Sequence, residues 1–219
     1  MKNRLLSSIA ASMLMVVSAS AAQADIITFD TFGSFSSTSN TFGLTQENVL
    51  TPGAATGLTV FGFTNQTNTE LDVHSLTNAI LSVADANGQA RFTGANGADI
   101  GTGGFEIFLA NNLSFTSLAF NLVGSTGLVN ISVREIDNSL TVLQYAMGPG
   151  SNFFGALAIN GQRIERVTVA SGLNISSLEQ VRVGGILGSV TATPEPATFA
   201  LFGTGLLGLA AVARRRRES

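Results

Sequence analysis

The stretch LVNISVREIDNSLTVLQYA, residues 128–146, decides the fold class. Its first half places Val129, Ile131 and Val133 at every second position, so that they lie on one side of an extended strand with polar residues on the other. Asp137-Asn138 then interrupts the pattern with two residues that favour turns, and a second run rich in apolar residues follows. The stretch therefore predicts a β-hairpin with one apolar face.

Short alternating or apolar runs, separated by turn residues, continue in both directions along the chain, and helical 3.6-residue periodicity is scarce. Asn87-Gly88 predicts a further hairpin and Asn160-Gly161 another tight turn, because Asn and Gly tolerate positive φ. Residues 31–48 are rich in Ser, Thr, Asn and Gly and predict a long loop or irregular strands with spaced phenylalanines as plugs. The predicted strands are 26–29, 58–63, 79–83, 89–92, 105–109, 117–122, 128–136, 140–146, 153–159, 164–169 and 180–186.

The core is expected to be filled by phenylalanine, since the chain has fifteen Phe, one Tyr and no Trp. Two further strands have apolar faces that the alternation turns inward, formed by Phe105, Ile107 and Leu109 and by Leu118, Phe120 and Leu122. We therefore predict an all-β fold, an antiparallel, jelly-roll-like β-sandwich, over residues 25–193.

The charge and cysteine content of this body exclude several function classes. Residues 25–193 contain five arginines and twelve acidic residues, a formal net charge of −7. Binding to nucleic acid requires clustered Lys and Arg, so a nucleic-acid partner is not expected. The chain has no cysteine, which excludes disulfides, cysteine nucleophiles and thiolate metal sites.

The first 24 residues predict a signal peptide. Lys2 and Arg4 give a positive start, an apolar run follows, and Ala22-Gln23-Ala24 is a small-x-small cleavage site. Cleavage at Ala22 to Ala24 leaves Asp25 as the first residue of the mature protein. The apolar run is too short for a stable membrane anchor, so we expect export across the inner membrane.

The C-terminal tail, residues 194–219, has three chemically distinct parts in order. Pro194-Glu195-Pro196 favours extended backbone, which suits entry into a processing cleft. Residues 197–213 are uncharged and predict a single transmembrane helix of roughly 25 Å, the low end for a membrane span. Four arginines, Arg214, Arg215, Arg216 and Arg217, follow at once and predict that this end stays cytoplasmic while the body lies outside.

This tail resembles the PEP-CTERM sorting signal of Gram-negative bacteria. The resemblance is carried by Pro194-Glu195-Pro196, by the Gly-rich apolar segment 197–213 and by the arginines 214–217. It implies a membrane partner, exosortase, that recognises the signal and cuts near it, and an association with exopolysaccharide and biofilm matrix. The body is also similar in texture to the Gly-, Asn- and Phe-rich β domains that often precede this signal.

Catalytic constellations are scarce in the body, and no catalytic residue is assigned. His74 is the one histidine, so a Ser-His-Asp triad would have to use it with the neighbouring Asp72. The Gly-x-Ser-x-Gly motif of hydrolases does not occur in the sequence. A paired carboxylate at Glu135 and Asp137 is the other candidate for hydrolysis.

No cofactor and no metal site is assigned; calcium is the one ion for which candidate residues exist, and the alternative is that these segments are plain turns. Asp85 and Asn87 stand at one turn, Asp99 at another, and Glu135 and Asp137 at a hairpin tip. None of these segments has the spacing of an EF-hand loop.

These observations lead to three expectations about function. The first is an exported, non-enzymatic surface or extracellular-matrix protein, held transiently in the inner membrane and then processed at its tail. The second is a secreted carbohydrate-binding module, which the lack of Trp disfavours. The third is a secreted hydrolase, for which His74 and Glu135 are two separate candidates.

Overall fold

The computed structural model describes residues 25–188 as an antiparallel β structure with one α-helix and two single turns of 3-10 helix. The strands are short and are separated by turns rich in Asn and Gly, as the alternating sequence predicts. They are β1 Ile26–Phe29, β2 Gln46–Leu50, β3 Ala55–Gly57, β4 Thr59–Thr64, β5 Glu70–Ser75, β6 Leu81–Ala86, β7 Gln89–Gly94, β8 Phe105–Leu109, β9 Ser117–Gly124, β10 Gly127–Glu135, β11 Leu140–Met147, β12 Gly150–Ala158, β13 Ile164–Ser171 and β14 Ile175–Gly184; helix α1 spans Phe32–Thr41.

The strands form a continuous, barrel-like sheet. Its main path runs β1-β12-β9-β14-β2-β4-β5-β8-β13-β10-β11, and β3, β6 and β7 attach beside β14. Strand β2 joins the two halves of the path, because Glu47 and Asn48 pair with β14 whereas Val49 and Leu50 pair with β4. The all-β, antiparallel prediction is confirmed, and the two layers expected of a sandwich are here hydrogen-bonded to each other through β2.

Both predicted hairpins are present, and the third turn has a different role. Asn87 and Gly88 have φ of 56° and 80° and connect β6 directly to β7. The turn around Asp137-Asn138 connects β10 to β11. Asn160-Gly161 also forms a tight turn, but β12 pairs with β1 and β9 whereas β13 pairs with β8 and β10. The turn therefore carries the chain from one half of the sheet to the other.

The prediction of a loop or irregular strands over residues 31–48 was wrong, because the segment contains α1 and β2. The side chain of Thr31 caps the helix by accepting from the Ser34 amide. Phe35 is fully buried, with its ring centroid 5.7 Å from that of Phe29 and 5.9 Å from that of Phe153. Packing of this one aromatic side chain outweighs the poor helix propensity of the surrounding Ser and Thr residues.

The core follows the predicted alternation. All nine residues assigned inward on β8, β9 and β10 are at most 2 % exposed and belong to one apolar cluster that draws on both halves of the sheet. They are Phe105, Ile107, Leu109, Leu118, Phe120, Leu122, Val129, Ile131 and Val133.

Both ends of the described chain lie at the same end of the barrel, which we call the terminal pole. The Ile159 amide donates to the Asp25 carbonyl at 2.9 Å, and the Arg163 guanidinium donates to the Gly188 carbonyl at 2.9 Å. Both contacts belong to the turn that connects β12 to β13. The opposite end, the distal pole, carries the loops around Gly103, Ser125 and Asn174, which hydrogen-bond to one another or to the ends of neighbouring strands.

Two predicted segments lie outside the described residues, namely the signal peptide, residues 1–24 with its cleavage site at Ala22 and Ala24, and the transmembrane helix 197–213. Among residues 25–188, no helix has the length and apolar character that crossing a membrane requires.

Candidate functional site

The five calcium candidates are dispersed in the structure, and each of the four acidic ones already uses one carboxylate oxygen in a hydrogen bond. An Asp85 carboxylate oxygen accepts from the Gly88 amide at 3.0 Å, which stabilises the β6–β7 turn. The Asp99 carboxylate accepts from the side-chain amide of Asn174 at the distal pole. Among residues 25–188, no group of three or more acidic or histidine side chains is arranged to hold a metal ion.

Glu135 and Asp137 are close together but lie in different environments. Asp137 Oδ1 accepts from the Ser139 amide at 2.8 Å and from its hydroxyl at 2.6 Å, and these bonds lower the pKa of Asp137. Glu135 is fully buried, and this desolvation raises its pKa. Both carboxylates lie at the terminal pole, whereas Asp99 lies at the distal pole. The residue types that suggested calcium are therefore divided between two ends of the barrel.

His74 and Glu135, the two separate candidates of the hydrolase hypothesis, lie far apart. His74 lies on β5, and three strand-to-strand steps, through β8 and β13, separate β5 from β10. At about 4.8 Å per step, this is a distance of roughly 14 Å across the sheet. His74 Nδ1 is instead hydrogen-bonded to the Thr59 hydroxyl at 2.8 Å. The two side chains are not brought together in one catalytic group.

A different cluster lies on the outer surface of strands β4, β5, β8 and β13. In an antiparallel sheet, directly opposed residues point to the same side, and the register places Phe61 opposite Asp72 and Phe63 opposite Glu70. All members of this cluster are partly exposed. We call the set the β5 face, and it consists of Phe61, Phe63, Glu70, Asp72, His74, Glu106, Phe108 and Arg166.

Asp72 is the electrostatic centre of the β5 face. Its pKa is raised from 3.8 to about 6, chiefly by partial burial and then by the charge of Glu70 and a hydrogen bond with Glu70, whereas the charge of His74 acts to lower it. Glu70 and Asp72 are two residues apart on β5 and so lie side by side on its outer surface. Asp72 therefore holds a proton more tightly than an ordinary surface carboxylate does.

The aromatic side chains frame these carboxylates. The rings of Phe61 and Phe63 meet edge to face with centroids 5.6 Å apart. The Arg166 guanidinium lies 5.2 Å from the centroid of Phe108 and donates to Glu106 at 2.7 Å. The result is an outer surface that offers apolar ring faces beside hydrogen-bond donors and acceptors.

This face combines residues of predicted strands with residues of a segment that the sequence analysis leaves unassigned. The segment ELDVHS, residues 70–75, was omitted from the predicted strands, although its pattern shows strict alternation. Leu71 and Val73 are fully buried, whereas Glu70, Asp72 and His74 point outward. Reading this alternation would have placed Asp72 and His74 on one exposed strand face.

Comparison with known proteins identifies the C-terminal tail. A model of the PEP-CTERM protein-sorting motif matches residues 192–217, a range that includes Pro194, Glu195 and Pro196 and the arginines 214–217. These residues lie outside the described range, and the match begins four positions after Gly188. Searches of the curated proteins and of the solved structures returned no significant match to the chain. The chain therefore carries a PEP-CTERM protein-sorting motif, and this motif implies exosortase-dependent sorting of an exported protein.

Proposed function

We propose that the protein is a non-enzymatic component of the cell surface or extracellular matrix, processed at its tail by an exosortase. The sorting motif at residues 192–217 is the observation that carries this proposal. The motif implies transient anchoring in the membrane before processing. The stable, acidic β body is then the part that remains outside the cell, where an exopolysaccharide or biofilm matrix is its setting.

The order of chemical features in the tail supports a defined sequence of events. The arginines 214–217 hold the end of the chain on the cytoplasmic side of the membrane. The apolar segment 197–213 keeps the tail in the bilayer, and Pro194-Glu195-Pro196 presents extended backbone at the outer surface. Cleavage near this motif releases the body from its anchor.

The test is the intact mass of the protein recovered from a host that contains an exosortase, compared with the same host without the enzyme. The proposal predicts a shortened C-terminus only when the enzyme is present. Glu195→Gln should reduce this processing, whereas Glu218→Gln, which changes the other glutamate of the tail outside the matched residues, should leave it unchanged. An intact C-terminus in the presence of the enzyme would contradict the proposal.

Glycan binding by the β5 face is a second candidate function. Sugar-binding surfaces combine aromatic faces for stacking with carboxylates and amides for hydrogen bonds. The β5 face offers Phe61, Phe63 and Phe108 beside Glu70 and Asp72. These partly exposed phenylalanines stand in for the tryptophan that the chain lacks.

A binding measurement on a polysaccharide panel tests this second function. Phe61→Ala and Asp72→Asn should each weaken binding, by about tenfold for loss of a stacking ring. Val142→Ala is the matched control, because Val142 is 58 % exposed on the outer surface of β11 and lies outside the β5 face. Binding that is absent from the panel, or that Val142→Ala weakens equally, would count against the β5 face.

A further inference from the structure

Glu135, at the terminal pole, has a buried carboxyl oxygen without a hydrogen-bond partner. Its residue surface is 0 % exposed, and one carboxyl oxygen, Oε1, accepts from the Ser139 hydroxyl at 2.9 Å. The other oxygen, Oε2, is buried and has no hydrogen-bond partner. A buried acceptor without a partner loses its hydration and gains nothing in return. The site therefore lacks a donor that the folded domain would be expected to supply.

The neighbouring carboxylates make a negative charge on Glu135 still less favourable. The carboxylates of Asp137 and Asp25 both act to raise the pKa of Glu135. Arg163 lies in the turn between β12 and β13, and its carbonyl accepts from the Ile136 amide. Its guanidinium, however, donates to the Gly188 carbonyl, and within residues 25–188 no ion pair includes Glu135. A positive charge is therefore the missing component.

The main chain of Asp25 is placed to supply that charge. The Asp25 carbonyl accepts from the Ile159 amide at 2.9 Å, and the next residue, Ile26, pairs with Ala158 on β12. The backbone amide of Asp25 is close enough to the Glu135 carboxyl to lower its pKa, although it leaves Oε2 without a partner. The nitrogen of Asp25 thus lies beside the buried carboxyl, held by the first strand of the domain.

This nitrogen changes its chemistry if the signal peptide is removed after Ala24. Hydrolysis of the Ala24–Asp25 peptide bond consumes one water, leaves a carboxylate on Ala24, and turns the neutral amide nitrogen of Asp25 into an amine. An α-amine has an ordinary pKa of about 7.7–8.0, so it takes up a proton at neutral pH. One amide donor becomes an ammonium group with three.

We infer that the new α-ammonium group of Asp25 forms a buried ion pair with Glu135, so that removal of the signal peptide completes the fold. This inference rests on the export half of the proposed function, and in particular on cleavage after Ala24. A charged donor satisfies Oε2 and offsets the carboxylates of Asp25 and Asp137. Breaking such a buried pair costs far more than breaking an exposed one.

A four-protein cycle tests the ion pair in the full chain, exported by a secretion host and extracted in detergent. Insertion of Gly-Ser between Ala24 and Asp25 keeps the cleavage site but moves the ammonium group two residues away. We expect this insertion to lower the Tm of the otherwise unchanged protein by about 3 °C or more. In a Glu135→Gln background the same insertion should change the Tm by less than about 1 °C. Glu165→Gln is the matched control, because this carboxylate is 40 % exposed on β13 and should leave the effect of the insertion intact.

A second measurement needs no variant of Glu135. The α-amine of the unmodified protein should react with an acylating reagent near pH 7 at least about tenfold more slowly than the α-amine of the insertion variant, because an ion-paired ammonium is protected. Equal reaction rates, or an insertion that lowers the Tm equally with Glu and with Gln at position 135, would overturn the inference. An N-terminal mass that does not begin at Asp25 would overturn it as well, and it is read independently of tail processing at the other end of the chain.

Discussion

The hydroxyl of Tyr145 donates to the main-chain carbonyl of Phe153, which connects β11 to β12 across the seam of the barrel. Strands β1 and β11 are the two ends of the sheet path, and a cleft lined by Phe29, Leu143 and Phe154 marks where they approach each other. The ring of Tyr145 also meets that of Phe154 edge to face, with centroids 6.0 Å apart. Tyr145 therefore contributes both a hydrogen bond and a ring contact at the seam.

Removing this hydroxyl should weaken the seam. Tyr145→Phe keeps the ring contact but loses the hydrogen bond, and we expect the free energy of unfolding to fall by about 1 kcal/mol. Urea denaturation of the two proteins measures the difference. Val142→Ala, on the exposed surface of the same strand, should change the free energy by less than about 0.5 kcal/mol. Equal effects of the two substitutions would mean that the hydroxyl does not hold the seam.

Gly155 makes room for the buried ring of helix α1. A Cβ atom at Gly155 would lie 2.7 Å from Cδ2 of Phe35, so Gly155→Ala must displace the ring and should destabilise the protein by about 1–3 kcal/mol. Gly33 is the matched control within α1, because a Cβ atom there meets nothing within 4 Å. Gly33→Ala should stabilise the protein by about 0.5–1 kcal/mol. Thermal unfolding of both variants checks the opposite signs, and a tolerated Gly155→Ala would argue against this packing of α1.

The raised pKa of Asp72 predicts a stability that falls as the pH rises. Its pKa is about 6 in the folded protein against 3.8 for an ordinary Asp, so between these values the folded state binds more protons than the unfolded state. Stability is therefore lost as the pH rises from about 4 to about 6. Because the side chain is partly exposed, solvent screening reduces the effect to about 1 kcal/mol.

Asp72→Asn removes this titration and should stabilise the protein at pH 7 by about that amount. Urea denaturation at several pH values measures the difference between the variant and the unmodified protein, which isolates Asp72 from other groups. Glu70→Gln should lower the pKa of Asp72, since the charge of Glu70 is one of the causes that raise it. An Asp72→Asn variant with an unchanged pH profile would contradict the assignment.

Glu47 holds the turn between β4 and β5, and its loss should be costly. Its Oε2 accepts from the amides of Gln66 and Thr67, at 3.1 and 2.7 Å, and from the Thr67 hydroxyl at 3.0 Å. The residue is only 6 % exposed. Glu47→Ala removes the acceptor of the Gln66 and Thr67 amides and should destabilise the protein by about 1–3 kcal/mol. Glu165→Ala, on the exposed surface, should have less than about a third of this effect in the same denaturation experiment.

The fold class was predictable because the signal is local. Asn87-Gly88 and the alternation of Val129, Ile131 and Val133 specify turns and faces from a few adjacent residues, and the structure confirms them. Helix α1 was not predictable in this way, because the contact that stabilises it joins Phe35 to the distant Phe153. The Asn160-Gly161 turn was correct locally, but its flanking strands found partners elsewhere in the chain.

The candidate site, too, was only partly predictable from the sequence. Each residue of the β5 face is an unremarkable surface residue in the sequence, and the face exists only because β4, β5, β8 and β13 lie side by side in that order. The sorting motif of the tail, by contrast, is a continuous segment of sequence, and it was recognised from that segment alone. Contiguous signals can be read from the sequence, whereas a surface assembled from four strands requires the pairing order.

The predicted signal peptide and the predicted membrane segment would fasten the precursor at both ends, and the shared position of Asp25 and Gly188 bears on that arrangement. Suppose that a signal peptide and a tail segment occupied the same bilayer. If the chain entered and left the barrel at opposite poles, the two attachments would then pull on opposite ends of the sheet. Here Asp25 and Gly188 are both hydrogen-bonded to the turn between Ile159 and Arg163. The eight residues from 189 to 196 can extend over at most about 28 Å, a short tether. The two tethers would then act at the single turn between β12 and β13. The strands of the barrel would not be pulled from opposite ends.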